Sequence, residues 1–514
     1  MKMVQLLNAI ENLRSAGKSR TSDAALGAME VTEVFYRAQA VTPAGLFVAV
    51  KGFAADGHEF IGQAVQRGAA AVVCEHSTGA KAPEIVVSDS RKALAQLGAE
   101  FFGHPSRRMT IVGITGTSGK TTTCYLIESI LRAAGLKVGV IGTVNYRYND
   151  QVFDNPVTTP ESLDLQRILA QMQAAGVTHV AMEISSHALD LSRVHACDVD
   201  VAVFTNLSQD HLDFHHDMEQ YWQSKRTLFT RYLPASVGKV ALRAVINSDD
   251  QRGRELSGQL NLPRLTTGQT GPADIQALSA QCGLEGIEAL IRTPKGDLKI
   301  HSALVGHHNL ENILNAVGVA LALDLGTQAI QAGIQHLGNV PGRLERVVDP
   351  GGRRFVYVDY AHKPDALEKV LSALRTLTQQ RIICVFGCGG DRDRSKRSLM
   401  GAIAARFSDL VVVTSDNPRT ERPEQIITQI VEGVRQQGLR FYMPSALPDD
   451  YTGKGYVVEA DRRKAIALGI RAASPGDTIL IAGKGHEPYQ IIGKEKFPFD
   501  DRIEAGKALE TLNR

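Results

Sequence analysis

The stretch Gly113-Ile114-Thr115-Gly116-Thr117-Ser118-Gly119-Lys120-Thr121-Thr122-Thr123 constrains this chain more than any other part of it. It joins an apolar strand-like run, Thr110 to Thr115, to a helical pattern running from Lys120 to Ala134. Small residues let backbone N–H groups approach phosphate oxygens, and the helix N-terminus adds a positive dipole. Lys120 supplies charge, and the Thr121 hydroxyl is a suitable Mg²⁺ ligand. The general phosphate-loop pattern has Gly where Ile114 stands, so this is a narrower form, Gly116-Thr117-Ser118-Gly119-Lys120-Thr121-Thr122.

Strands alternate with helices on both sides of the loop, which predicts an α/β protein with mostly parallel, doubly wound sheets. A chain of 514 residues has room for three domains at roughly 100–200 residues each. Residues 1–106 carry short apolar runs, at Gly45 to Ala49, Ala69 to Val73 and Glu84 to Val87, and are read as a small N-terminal α/β domain. Residues 107–340 form the central nucleotide domain, with further strands expected at Thr178 to Ile184 and Val199 to Thr205 and a helix over 308–323. Val340-Pro341-Gly342-Arg343 breaks that pattern. Residues 341–514 are read as a Rossmann-like C-terminal domain, with strands beginning at Phe355 and recurring at 381–386, 410–414 and 478–482. Its helix over 364–377 sets Leu367, Val370, Leu371, Leu374 and Leu377 on one face. The run 250–300 fits no single pattern.

Composition excludes several classes. The 57 Lys and Arg against 55 Asp and Glu give a formal charge of +2, too little to hold a nucleic acid by net field. No stretch approaches the ~18 apolar residues of a membrane span, and the N-terminus lacks a signal-peptide pattern, so a cytoplasmic protein without a membrane partner is expected. The 6 Cys are scattered without a CxxC pair and read as reduced, buried hydrophobes.

An ATP site needs further ligands, and in a doubly wound sheet they gather at the carboxyl ends of strands. Glu183 in Met182-Glu183-Ile184-Ser185-Ser186-His187 and His211 in Asn206-Leu207-Ser208-Gln209-Asp210-His211 stand at such ends. Lys225, within Tyr221-Trp222-Gln223-Ser224-Lys225-Arg226, reads by pattern alone as one of several helix-surface lysines.

Together these segments resemble the Mur ligases, ATP-dependent amide-forming enzymes of peptidoglycan precursor synthesis. The phosphate loop, Glu183 to His187, Asn206 to His211, Val340 to Glu345 and Asp359-Tyr360-Ala361-His362-Lys363-Pro364 appear in the family's order. Gly387 to Asp393, Asp416-Asn417-Pro418-Arg419 and Gly483-Lys484-Gly485-His486-Glu487 are most similar to the branch that adds meso-diaminopimelate. An L-lysine-adding enzyme and a folylpolyglutamate-synthetase-like ligase are the alternatives.

The resemblance implies ATP, UDP-MurNAc-L-Ala-D-Glu and meso-diaminopimelate as substrates, two Mg²⁺ ions, and a monomer. It implies ATP contacts from Gly116 to Thr122 and from Asn309, Arg343, Asp359 and His362. The UDP-sugar-peptide falls to Arg37, Thr158, Thr159, Ser185 and Arg193. Diaminopimelate falls to Arg392, Asp416, Asn417, Pro418, Arg419, Gly483 and Glu487; a bidentate arginine fork suits its distal carboxylate and a carboxylate its ammonium. Lys120, Glu183, His211 and Lys225 are the implied catalytic set. The reading of Lys225 changes accordingly: the family's matching lysine is carbamylated by CO₂, so Lys225 and His211 would hold one Mg²⁺, and Thr121 and Glu183 the other. Phe35-Tyr36-Arg37 departs from the family's usual Asp-Ser-Arg and keeps only the arginine.

Overall fold

The computed structural model describes residues 1–14, 23–52, 55–447, 451 and 453–512. The chain divides into two compact units. One comprises Met1–Leu278, Ile291–Leu298 and Glu311–Ile334, the other Ser279–Leu290, Lys299–Leu310 and Gln335–Arg514.

The first unit contains a small parallel sheet of Val34–Phe35, Gly45–Val48, Ala69–Cys74 and Glu84–Val86, paired in chain order. Alternation along these strands builds two cores. Leu46, Val48, Ala71, Val73 and Ile85 pack with the helices Met3–Ala9 and Ser90–Phe101. Phe47, Val72, Cys74 and Val86 pack with Ile61 and Ala64 on the other face. The edge strand Val34–Phe35 was too short to read in the sequence. Its neighbour Tyr36 donates its hydroxyl to Asp164 Oδ2 at 2.5 Å, so the side chain that replaces the family's serine ties this sheet to the helix Ser162–Ala174.

The larger sheet of the same unit runs Arg264–Gly268, Arg243–Asn247, Val201–Phe204, Thr110–Thr115, His179–Glu183 and Val138–Ile141, all parallel. Tyr146–Tyr148 and Gln151–Phe153 then add antiparallel. Thr110–Thr115 is flanked by strands formed later in the chain, which opens a crevice at its carboxyl end. The loop before Lys120 enters that crevice. The helix following it, Lys120–Ala133, ends one residue earlier than expected. The unreadable run 250–300 proves to be the helix Gln251–Gln259 and the short, half-exposed strands Arg264–Gly268, Ile275–Cys282, Ile287–Arg292 and Leu298–Ser302.

The second unit holds a sheet ordered Glu345–Val347, Phe355–Asp359, Thr478–Ala482, Ile382–Phe386, Leu410–Val413, Gly455–Val458 and Arg440–Phe441, parallel except for the first pair. Tyr357, Cys384, Phe386, Val411, Val413 and Leu480 face the helices Pro364–Leu377, Ser395–Phe407 and Pro423–Gln436. Their neighbours Val356, Val358, Ile383, Val385, Val412 and Ile481 face the helices Arg462–Arg471 and Asp501–Leu512. On the helix Pro364–Leu377, Leu367, Leu371 and Leu374 are fully buried, while Val370 and Leu377 pack partly buried on the same core. The six cysteines are free, and Cys388 contacts Met400 rather than Cys384. No helix among the described residues is long and apolar enough to cross a membrane.

Arg462 and Asp501, both with fully buried side chains, pair at 2.7 Å, and the guanidinium also donates to Ser415 O and Ala482 O. Removing one partner of a buried ion pair strands the other charge. Asp501→Ala is therefore expected to lower stability by about 3–5 kcal/mol, read as an earlier urea transition of the second unit. An unshifted transition would contradict that role.

Candidate functional site

In the first unit the groups singled out by the sequence meet around the phosphate loop. Gly116 (φ 147°) and Gly119 (φ 85°) take backbone conformations that side chains rarely adopt. A Cβ on Gly116 would lie 1.9 Å from Thr205 Oγ1, and one on Gly119 2.3 Å from Asn312 Oδ1. The loop is pinned from the neighbouring strand end: Thr205 Oγ1 donates to Ser118 O at 2.7 Å, Ser118 N to Asn206 Oδ1 at 3.0 Å, and Thr117 N to Asn206 O at 2.9 Å. Thr117 Oγ1 also donates to Ser208 O and lies 3.1 Å from the Tyr221 hydroxyl. This bracing uses the N–H groups of Thr117 and Ser118 and fixes the turn into the helix that starts at Lys120, whose N-terminus favours an anion.

Lys120 Nζ donates to Gly116 O at 2.8 Å and Thr117 O at 2.9 Å. Lys225 Nζ donates to the same Gly116 oxygen at 2.8 Å. The surface reading of Lys225 is thereby corrected: the residue is only 1% exposed, on the helix Met218–Thr227, with its ammonium 4.2 Å from the centre of the Tyr221 ring. Lys225 shares a helix face with Tyr221, Leu228 and Phe229, all buried, and the carbonyl it meets belongs to a loop far away in sequence. Burial, followed by the adjacent Lys120 charge, pushes the Lys225 amine well below the ordinary lysine range.

Glu183 ends its strand 1% exposed and accepts from Thr121 Oγ1 at 3.1 Å and from Thr143 N and Oγ1, each at 2.9 Å. Thr143, missed in the sequence, stands just past the strand Val138–Ile141, and a strand-end position is the signal that would have found it. Through Thr143 Oγ1 the carboxylate reaches Thr158 at 3.1 Å. Thr159 Oγ1 donates to Glu183 O and accepts from Ser185 N, and Arg193 donates to Thr159 O. Thr158, Thr159, Ser185 and Arg193 thus form one connected group beside Glu183. Arg37 lies apart from that group, exposed, with its guanidinium 5.2 Å from the Tyr36 ring centre.

His211 takes a left-handed backbone (φ 55°), and its ring lies 4.9 Å from that of His187. Next to it, and also missed, is buried His215, 2.8 Å from Ser186 Oγ and 3.2 Å from Oδ2 of the exposed Asp190. Among the described residues no three His, Cys, Asp or Glu side chains are grouped to hold a metal ion. The donors at the loop are instead the Thr121 hydroxyl and the Glu183 carboxylate, hard oxygens of the kind Mg²⁺ takes alongside phosphate oxygens. Unmodified Lys225 is not a ligand for a cation.

In the second unit, four motif segments follow the carboxyl ends of adjacent strands: Asp359 to His362, Gly387 to Asp393, Thr414 to Arg419 and Gly483 to Glu487. Buried Asp359 accepts from Leu344 N at 2.7 Å and Ala361 N at 2.9 Å, which fixes the Gly342-Arg343 turn beneath it. Arg343 lies 5.7 Å from the Tyr360 ring centre, and Tyr360 packs on His362 and His486. Burial pushes the His362 imidazole below its ordinary range. Asn309 is buried, with Nδ2 donating to Val305 O.

Asn417 Nδ2 donates to Glu487 Oε2 at 2.9 Å. Burial raises the Glu487 carboxyl, against which Asn417 and, more weakly, Lys484 and Arg419 act. Arg419, left-handed at φ 50° after buried Pro418, donates to Gly390 O at 2.7 Å. Its backbone is bridged to the hairpin Tyr489–Ile492 and Glu495–Pro498: Arg419 N donates to Ile491 O and Gly493 N to Arg419 O. Arg392 is exposed on the loop after Gly387, where NH1 reaches Asp391 O at 3.3 Å.

Three family models match the chain. Residues 30–102 match the model described as Mur ligase family, catalytic domain, residues 114–320 the Mur ligase middle domain, and residues 342–485 the Mur ligase, glutamate ligase domain. The chain is 47% identical, over 95% of both chains, to the UDP-N-acetylmuramoyl-L-alanyl-D-glutamate–2,6-diaminopimelate ligase of Geobacter metallireducens. It is similar to a solved structure with the same enzyme title, at 31% identity and TM-score 0.70, over 96% of this chain and 98% of that one. The fold alone is shared with a MurF ligase of Thermotoga maritima solved with ADP, at 21% identity and TM-score 0.60, over 93% and 98%.

Proposed function

Since the chain belongs to the Mur ligase family, we propose that it joins meso-diaminopimelate to the D-glutamate γ-carboxylate of UDP-MurNAc-L-Ala-D-Glu at the expense of ATP. We place it in the cytoplasm, acting as a monomer, with domains at 1–106, 107–340 and 341–514. The reading is carried by the presence of one strand-end cluster in each unit: a braced phosphate loop with Glu183 and two lysines, and a group in which Asn417 donates to Glu487 near Arg419.

The reaction needs an activated carboxyl, because a carboxylate is a poor electrophile. The carboxylate attacks the γ-phosphorus of ATP, ADP leaves, and an acyl phosphate results. The amine of diaminopimelate then adds to the acyl carbon, and the tetrahedral intermediate expels inorganic phosphate. Lys120 exchanges its bonds to Gly116 O and Thr117 O for the phosphoryl oxygens, while the loop N–H groups hold the remaining charge. Thr158, Thr159, Ser185 and Arg193 position the glutamyl end beside Glu183. Asn309, Arg343, Asp359 and His362 serve the nucleotide.

Thr121 and Glu183 would hold one Mg²⁺, and His211 with carbamylated Lys225 the other. Bound there, the ions neutralise charge on the transferring phosphoryl group. Carbamylation is the addition of a neutral Lys225 amine to CO₂ with loss of a proton, which turns a cation into an oxygen ligand; the lowered pKa of the amine favours that step.

The test is phosphate release with Mg²⁺, ATP and UDP-MurNAc-L-Ala-D-Glu, comparing meso-diaminopimelate, L-lysine and no amino acid. Release with meso-diaminopimelate and a tripeptide product by mass is expected. Release with L-lysine alone would keep the ligase and overturn the amino-acid assignment. Arg419→Ala is expected to raise the KM for meso-diaminopimelate by about 10²-fold with a smaller change in kcat, since a guanidinium fork on a carboxylate is lost. An unchanged KM would reject that contact.

A further inference from the structure

Lys484 is the one residue of Gly483-Lys484-Gly485-His486-Glu487 with a long cationic side chain, and that side chain is wholly buried. Its Nζ donates to Asn417 Oδ1 at 2.7 Å and to Tyr489 O at 2.7 Å, and lies 3.3 Å from Asp416 Oδ1. An ammonium has three donors and no acceptor. Here two donors go to the Asn417 amide oxygen and to the first residue of the hairpin that bridges Arg419, and the Asp416 carboxylate lies alongside as the counter-charge.

The consequence for Asn417 is one of polarity. Its Oδ1 accepts both Lys484 Nζ and Ile491 N, the latter at 3.0 Å, so its Nδ2 must turn the other way, toward Glu487 Oε2. A flipped amide would set NH₂ against an ammonium and an N–H, and C=O against a carboxylate. Gln490 Nε2, donating to Asp416 O at 2.6 Å, fixes the same stretch from the hairpin side.

We propose that Lys484 is the positioning residue of the amino-acid pocket. Through Asn417 it sets the orientation of Glu487, and through Tyr489 O it holds the hairpin that carries the Arg419 backbone. The proposal deepens the reading above and rests on it. Lys484 does not touch substrate, so its removal acts on recognition and leaves the phosphate loop alone.

The experiment is steady-state kinetics of full-length Lys484→Met and Lys484→Gln, varying each of the three substrates. Lys484→Met keeps the volume and removes the charge. It is expected to raise the KM for meso-diaminopimelate by about tenfold to a hundredfold, the scale of a lost charge-assisted hydrogen bond. Over the same measurements kcat should change by less than about threefold and the KM values for ATP and the UDP-substrate by less than about twofold, a split that a general structural defect does not produce.

Lys484→Gln covers the case in which Lys484→Met fails to fold. It keeps an amide N–H donor for Asn417 Oδ1 without the charge, and a smaller rise in the same KM alone is expected. Equal losses across all three substrates, or an unchanged diaminopimelate KM in a folded variant, would overturn the proposal. Wild-type turnover measured alongside separates the two levels. A wild type that uses a different amino acid overturns the substrate reading, and the variants then test Lys484 on the amino acid that is used.

Discussion

Lys120→Ala is expected to lower phosphate release by about 10³-fold or more, the largest loss from any single substitution on the loop, because a fixed cation on the transferring phosphoryl group is removed. The loop itself should survive. Its shape is held by Thr205 Oγ1 on Ser118 O, by Asn206 on Ser118 N and Thr117 N, and by two glycines, none of which depends on Lys120. Gly116 O keeps Lys225 as a donor when Lys120 is gone. The loss is therefore one of charge rather than of fold, and it should appear in kcat with wild-type thermal stability. Lys120→Met, which restores the side-chain volume, should be equally inactive. Near-normal turnover in either variant would remove the lysine from phosphoryl transfer.

The loop was legible because its chemistry is local: a strand, small residues, a lysine and a helix start occupy one continuous stretch. The same holds for Glu183, Asp359 and Gly483, which follow apolar runs that can only be buried strands, and strand ends are where ligands collect. What stayed hidden is long-range. Lys225 and Arg226 are adjacent on one helix, yet Lys225 is 1% exposed and its neighbour half-buried, and the Gly116 carbonyl that Lys225 meets lies 109 positions away. Tyr36 showed only as a departure from the family's usual serine, and its role emerges only with Asp164, 128 positions away. The strands Glu345–Val347 and Arg440–Phe441 lie at sheet edges, too short and too exposed to show the alternation that marks their neighbours. Lys484 was visible as part of a motif, but its two acceptors, Asn417 Oδ1 and Tyr489 O, come from separate segments, a convergence no spacing encodes.

The second large effect is expected at Lys225. Two ammonium groups donating to one carbonyl oxygen, one of them fully buried, is a costly arrangement unless one of them gives up its charge. The shift of Lys225 well below the ordinary lysine range has that sign: deprotonation is favoured on burial, and more of the neutral amine is present near neutral pH than for a solvated lysine. A neutral amine adds to CO₂, whereas an ammonium does not. Enzyme equilibrated with ¹³C-bicarbonate near pH 8 is therefore expected to show a carbamate resonance that Lys225→Met lacks, and acidification should discharge it as the amine is reprotonated. Lys225→Met should lower kcat by about 10³-fold, comparable to the loss of a metal-organising ligand in phosphoryl transfer. Lys225→Arg keeps a positive charge that cannot be carbamylated and should be no better, while Lys225→Glu supplies a carboxylate and should retain more activity than either. The order matters more than the size: if arginine sustains turnover where glutamate fails, Lys225 works as a cation and the carbamate reading falls. Absence of the labelled resonance in active enzyme would have the same meaning.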